Sequence, residues 1–238
     1  MLGGHVQRGS TVQEEVIQID VGSRELDVEV YRPTGRAKAP GILYLHELFG
    51  LLDGYREDAR ELAENGYLVY LPNLFTDGAV QYCVRALVSS AGRNNRGNSD
   101  LNSEIDMLLD ALKADAGCSG RLGMLGMCLT GGYVIQAAIR NDMMAPVVYH
   151  HSLGLKASGI PKEEEHKLGR IQALQGHWSK RDPMCPAWRR DRLIRKLGTR
   201  VDAHLYNAPH GFRSVSRKTK DGALAWERTK AFFEQQLG

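Results

Sequence analysis

Apolar and polar positions alternate with a period of two over residues 12–20 and again over 24–32, on either side of Val21-Gly22-Ser23. That pattern predicts an antiparallel hairpin at a sheet edge, with one face buried and one in water. The period then changes. Residues 41–46 form a nearly unbroken apolar run, as do 67–71, and such runs suit strands covered on both faces. Between them, residues 53–65 repeat their apolar positions at helical spacing and stop at Gly66. Further strands are expected over 121–126, 145–149, 171–175 and 201–206, and helices over 101–114, 129–140, 186–197 and 222–237. Strand and helix in alternation imply right-handed crossovers and a mostly parallel α/β sheet with helices on both faces. Residues 76–99 follow neither period and include Gly92, Gly97 and three asparagines between 94 and 98. They read as a solvated loop or as a lid beside a site.

Composition narrows the class without changing this picture. With 238 residues, 42% hydrophobic and 25% charged, the chain is expected to form one α/β domain over 1–238 and to be neither disordered nor fibrous. The net charge of +3 is spread along the chain, so no nucleic-acid partner is expected. The one basic cluster, residues 189–196, reads as the solvated face of an amphipathic helix. Cys83, Cys118, Cys128 and Cys185 show no paired short spacing, so neither a zinc ribbon nor a dithiol motif is offered. No apolar stretch approaches the roughly 20 residues of a membrane span. The expectation is a cytoplasmic protein in a reducing compartment, without membrane partner, metal or cofactor.

Candidate chemistry collects at the carboxyl ends of the predicted strands, where open parallel sheets bind ligands. Gly123 to Gly132 reads as a strand, a tight turn and a helix start with Cys128 at the apex. Such an elbow lifts a side chain out of the sheet beside unpaired backbone N–H groups. His46-Glu47 follows the strand at 41, residues 179–182 follow the strand at 171, and His210 follows the strand at 201. A cysteine, an acid and a histidine in that order supply a nucleophile, an orienting carboxylate and a general base. Asp182 is preferred to Asp202 as the acid because Asp202 lies early in its strand, at the wrong end of the sheet. His177 reads as a polar residue beside the crevice, and Cys83 and Cys118 as packing. His150-His151-Ser152 is expected to be neither a metal pair nor a nucleophile. Adjacent histidines diverge, no third ligand is spaced for zinc, and Ser152 lacks an elbow.

Three stretches together carry a family resemblance: His46-Glu47-Leu48-Phe49-Gly50, Gly126-Met127-Cys128-Leu129-Thr130-Gly131-Gly132 and Pro209-His210-Gly211-Phe212. In order and spacing they resemble the dienelactone hydrolase family of the α/β-hydrolases. The resemblance implies an α/β-hydrolase fold and a cofactor-free cysteine hydrolase that opens small lactones or esters through an acyl-enzyme. It implies Cys128 as nucleophile, His210 as base and then acid, and Asp182 as the residue fixing the histidine tautomer. Glu47 would touch the resting thiol, and the backbone N–H groups of Leu48 and Leu129 would form the oxyanion hole. Arg213, with Arg85 as a second candidate, would hold a substrate carboxylate. A monomer or homodimer is expected, with a small ester or lactone as partner. Thr130 departs from the glycine the elbow pattern prefers. Either the turn accepts its β-carbon, or Gly131 and Gly132 supply the close approach. A general carboxylesterase or thioesterase with the same residues, or a binding module on the same fold, are the alternatives.

Overall fold

The computed structural model describes residues 11–75, 96–152 and 162–238. Its strands are β1 (Val12–Asp20), β2 (Glu25–Pro33), β3 (Ala39–Leu45), β4 (Leu68–Pro72), β5 (Cys118–Met127), β6 (Met143–Tyr149), β7 (Leu174–Ser179) and β8 (Val201–Tyr206). Its α-helices are α1 (Asp53–Glu64), α2 (Arg96–Ala114), α3 (Gly131–Ala137), α4 (Ala187–Leu197) and α5 (Lys220–Leu237). The strands form one sheet in the order β1-β2-β4-β3-β5-β6-β7-β8. β1 and β2 run antiparallel, β2 joins β4 antiparallel, and every later pairing is parallel.

The continuous apolar runs make strands buried on both sides, and successive residues of β3 separate accordingly. Leu43 and Leu45 join a core with Leu108, Leu109 and Leu112 of α2, Val134 and Ile135 of α3, and Leu193 of α4. Ile42 and Tyr44 join a second core with Leu62 of α1 and Phe232 and Phe233 of α5. The strand order reverses at β3. The chain leaves it for β4 on one side and returns to β5 on the other, so the ends of β3 and β5 flank the crevice that open sheets use for ligands.

Three elements differ from their sequence expectation. β7 begins at Leu174 rather than at 171 and runs through His177 to Ser179. Its polar residues obscure the strand pattern because they are paired inside the sheet. Gln175 donates to the Asp202 carboxylate at 2.9 Å, and His177 meets Tyr206 Oη and Gln175 Oε1, each at 2.9 Å. His177 is therefore fully buried and stacked on Tyr149 instead of standing beside the crevice. The helix after Cys128 is shorter than expected. It opens with a 3₁₀ turn over Cys128–Thr130, and α3 ends at Ala137. α2 starts at Arg96 instead of at 101, among polar and glycine residues that carry no apolar period. The basic cluster also differs. Arg189 and Arg190 are buried, and Arg190 donates to the carbonyl of Ser179 at 3.1 Å, tying α4 to the end of β7. Residues 76–95, with Cys83 and Arg85, lie outside the described residues. No helix among the described residues is long and apolar enough to cross a membrane.

Candidate active site

Cys128 stands where β5 passes into the 3₁₀ turn, with φ of 55°. A side-chain-bearing residue in that left-handed region is strained, and the strain is sustained here by tight contacts around the turn. A Cβ on Gly126 would lie 2.9 Å from the Thr130 carbonyl oxygen, and one on Gly131 would lie 3.0 Å from the His151 Cα. Both positions therefore need glycine. Thr130 fits because its hydroxyl is used by the backbone: Oγ1 accepts from the Met127 N–H at 3.1 Å and donates to the Met127 carbonyl at 3.0 Å. The turn thus accepts the Thr130 β-carbon, and Gly131 supplies the close approach.

His210 follows β8 and reaches Asp182, which follows β7. His210 Nδ1 lies 2.7 Å from Asp182 Oδ2. The other carboxylate oxygen of Asp182 accepts the N–H groups of Met184 at 2.8 Å and Cys185 at 3.1 Å. The two loops are also tied backbone to backbone, Lys180 N–H donating to the Tyr206 carbonyl at 2.9 Å. Asp202 instead meets Gln175 and His204. With Nδ1 bonded to a carboxylate, Nε2 is buried and has no hydrogen-bond partner of its own. A ring nitrogen of His210, the Cys128 sulfur and a Glu47 oxygen form a group whose atoms all lie within 4.8 Å of one another. Burial alone would pull the His210 imidazole down, but its bond to Asp182 and the nearby Cys128 sulfur raise its pKa to about 10. Burial pushes Asp182 up, and His210 outweighs it, leaving the carboxyl below its ordinary value.

Glu47 enters from the end of β3 and is 1% exposed. Neither of its carboxylate oxygens has a hydrogen-bond partner, and burial raises its pKa against smaller opposing effects of Ser214, His210 and Tyr55. Its loop is held by His46, whose Nδ1 donates to the Glu47 carbonyl at 2.8 Å while Nε2 accepts the Leu74 N–H at 3.0 Å. Burial lowers His46 to about 4, so it remains neutral. Leu48 follows in the same loop and is exposed, whereas Leu129 is buried in the turn beside Cys128.

The structure thus brings Cys128, His210, Asp182 and Glu47 together. It does not bring Arg213 to them with a free guanidinium. Arg213 is 3% exposed, ion-paired to Asp58 of α1, and lies 4.4 Å over the Trp226 ring. The apolar neighbours of Arg213 in sequence gave no hint of that partner, because Asp58 is 155 residues away. Sequence reasoning weighs two residues of the β6 end only as a metal pair or a nucleophile and assigns them no part in the site, yet the fold brings both to it. His150 packs against His210 with ring centroids 4.2 Å apart and planes tilted by 59°, and the Ser152 hydroxyl donates to the Cys128 sulfur at 3.0 Å. The adjacent histidines do diverge, His151 accepting from Trp178 Nε1 at 3.2 Å. Among the described residues, two groups could hold a metal ion, Glu47 with Cys128 and His210, and His150 with Asp182 and His210. Each would occupy His210 and so compete with its bond to Asp182 or its approach to Cys128.

A mostly parallel sheet with a strained strand-to-helix elbow, an acid after a later strand and a histidine after the last defines the α/β-hydrolase class. A carboxyl esterase of Tuber melanosporum has this fold, with a TM-score of 0.68 at 14% identity over 98% of this chain and 88% of its own. The chain belongs to the dienelactone hydrolase family, whose model matches residues 26–237, and is a hydrolase acting on ester bonds. A protein of Azospirillum brasilense, named provisionally as a carboxymethylenebutenolidase, is 27% identical over 225 residues, covering 88% of this chain and 93% of its own. A dienelactone hydrolase-like promiscuous phosphotriesterase from metagenomic libraries superposes with a TM-score of 0.78 at 20% identity, over 96% of this chain and 100% of its own.

Proposed function

We propose that this hydrolase opens small lactones or esters through a thioester on Cys128, with His210 and Asp182 completing a triad. The observation that carries this reading is the convergence of His210, bonded to Asp182 at 2.7 Å, with Cys128 and Glu47 within 4.8 Å. The Cys128 sulfur attacks the carbonyl carbon, a C–S bond forms, and the C=O pair moves onto oxygen. The N–H groups of Leu48 and Leu129 would stabilise that oxyanion. As the C–O bond to the leaving group breaks, protonated His210 Nε2 gives up its proton to the departing oxygen. Water then loses a proton to Nε2 and adds to the thioester, and the thiolate departs. Asp182 holds the tautomer throughout. Glu47, buried beside the thiol, takes up or returns a proton as the sulfur ionises.

A second reading, a general carboxylesterase with the same residues, is favoured by Arg213 being engaged with Asp58 and by exposed apolar residues on loops that follow the strands. These are Leu48, Phe49, Met184 and Val215, joined by the exposed Trp188 in the first turn of α4. A neutral acyl or alcohol group would suit that rim better than a carboxylate. Arg85 remains the other proposed carboxylate partner.

Hydrolysis of an activated acetate ester and of a dienelactone should be compared in wild type, Cys128→Ala and Glu47→Gln. Loss of both activities in Cys128→Ala is expected, and the ratio of the two in wild type separates a lactonase from a general esterase. Activity surviving in Cys128→Ala would remove the cysteine from the mechanism. Absence of turnover in wild type, with tight binding of unreacted compound, would leave a binding module.

A further inference from the structure

The chain leaving β6 is bent at His150, which has φ of 31°; among the described residues only Cys128 and His150 combine a side chain with a positive φ. These two strained turns face each other across the neighbouring strands β5 and β6, whose last paired residues are Met127 and Tyr149. The bend brings Ser152 over the elbow, where its N–H donates to the Cys128 carbonyl at 2.9 Å and its hydroxyl donates to the Cys128 sulfur at 3.0 Å. One residue thus holds the nucleophile at both its backbone and its reacting atom. At 3.0 Å the hydroxyl is within hydrogen-bond reach of the sulfur, and hydrogen bonds to ionised partners are the stronger kind, so the contact favours the thiolate once it forms.

We propose that Ser152 is a catalytic residue of this site, its hydroxyl donating to the Cys128 sulfur to stabilise the thiolate that attacks and later departs. This rests on the reading of Cys128 as nucleophile. Around the sulfur, Glu47 from the end of β3 and His210 from the loop after β8 come within 4.8 Å, Tyr55 of α1 and Cys185 before α4 interact with it electrostatically, and Asp182 and His150 stand behind His210. Glu47 and Asp182 disfavour a second anion, His210 favours it, and burial keeps His150 neutral at a pKa of about 3. Ser152 adds a neutral donor aimed at the sulfur itself. When the C–S bond forms, the sulfur loses its charge and the Ser152 bond weakens. When that bond breaks in deacylation, the electron pair returns to sulfur and the bond strengthens. A hydroxyl there therefore makes the thiolate a better leaving group, because a thiol of lower pKa leaves faster.

The test is the pH dependence of Cys128 alkylation by iodoacetamide, located by peptide mass spectrometry, in wild type, Ser152→Ala and Ser152→Thr. Loss of the hydroxyl should raise the apparent pKa of Cys128 by about one unit, tenfold less thiolate below it, by the strength of a charge-assisted bond. Ser152→Thr, which keeps a donor, should stay at the wild-type value. Ser152→Ala should also accumulate the acyl-enzyme of an activated ester, lowering kcat and KM together. A Ser152→Ala profile superimposed on wild type overturns the proposal, as do equal shifts in Ala and Thr. Should Ser152→Ala fail to fold, Ser152→Gly retains the backbone bond and serves in its place. Alkylation needs no turnover, so these outcomes stand apart from that of Cys128→Ala, whose surviving activity would remove the nucleophile itself.

Discussion

At the scale of single residues, the molecule turns on how a few polar groups are oriented before any substrate arrives. Asp182 spends one oxygen on two backbone N–H groups and the other on His210, so its position is set by the loop and its charge by the imidazole. Asp182→Asn should leave the fold intact and lower kcat/KM by about 10⁴-fold, as loss of the orienting acid does in serine triads. The same pair has a pH signature. The folded pKa of His210, about 10, exceeds its ordinary 6.5. The pair therefore stabilises the fold fully below about pH 6.5 and loses that contribution as pH rises through about 10. Thermal melts of wild type and Asp182→Asn should differ most near pH 6 and converge above pH 10, and a gap that persists there would contradict the assignment. Cys128 and His210 were legible in the sequence because each sits in a short motif at a strand end. His150 and Ser152 were not, because nothing local to residues 150–152 records that the chain bends back over the elbow.

At the scale of elements, two devices position the site. The first is the elbow, closed by the Thr130 hydroxyl on both backbone groups of Met127. Thr130→Val keeps the shape and removes both bonds, leaving a buried donor and acceptor unpaired. The expected loss is about 1–3 kcal/mol in urea unfolding, with slower acylation of Cys128. The second is the anchor between α1 and the segment after His210. Arg213 and Arg217 both pair with Asp58, and Tyr44 donates to the same carboxylate at 3.1 Å. Asp58→Asn leaves the buried Arg213 without its counter-charge, and breaking such a pair costs on the order of 3–5 kcal/mol. Denaturation should show that loss. Turnover of the folded fraction should fall as well, because the loop carrying His210 loses its tie to α1. Periodicity foretold α1 and α5 to within two residues at each end, since one apolar stripe and one glycine or threonine at a terminus suffice. It misplaced β7, where burial is satisfied by hydrogen-bonded Gln175 and His177 in place of apolar side chains.

At the scale of the whole molecule, the fold buries four histidines among the described residues in neutral form. Burial lowers His46 to about 4, His150 and His151 to about 3, and His177 well below its ordinary range. Each stays uncharged in the fold and binds a proton when unfolded, so stability falls as pH drops from about 6.5 toward 3. Near pH 5, unfolding should take up about four protons from these histidines, measured as the slope of urea stability against pH. A flat profile between pH 6.5 and 4.5 would contradict it. By itself the sequence determined the alternation of strand and helix, the edge hairpin, the elbow and the strand-end positions of Glu47, Cys128, Asp182 and His210. These follow from local periodicity and from the geometry of parallel sheets, in which strand ends converge whatever the loops contain. Only the tertiary structure decided that Arg213 belongs to Asp58, that His177 is core, and that Ser152 holds the sulfur. Each of those outcomes is a contest for partners between groups distant in the chain, and burial settles it by leaving a charge or donor only the neighbours that the fold supplies.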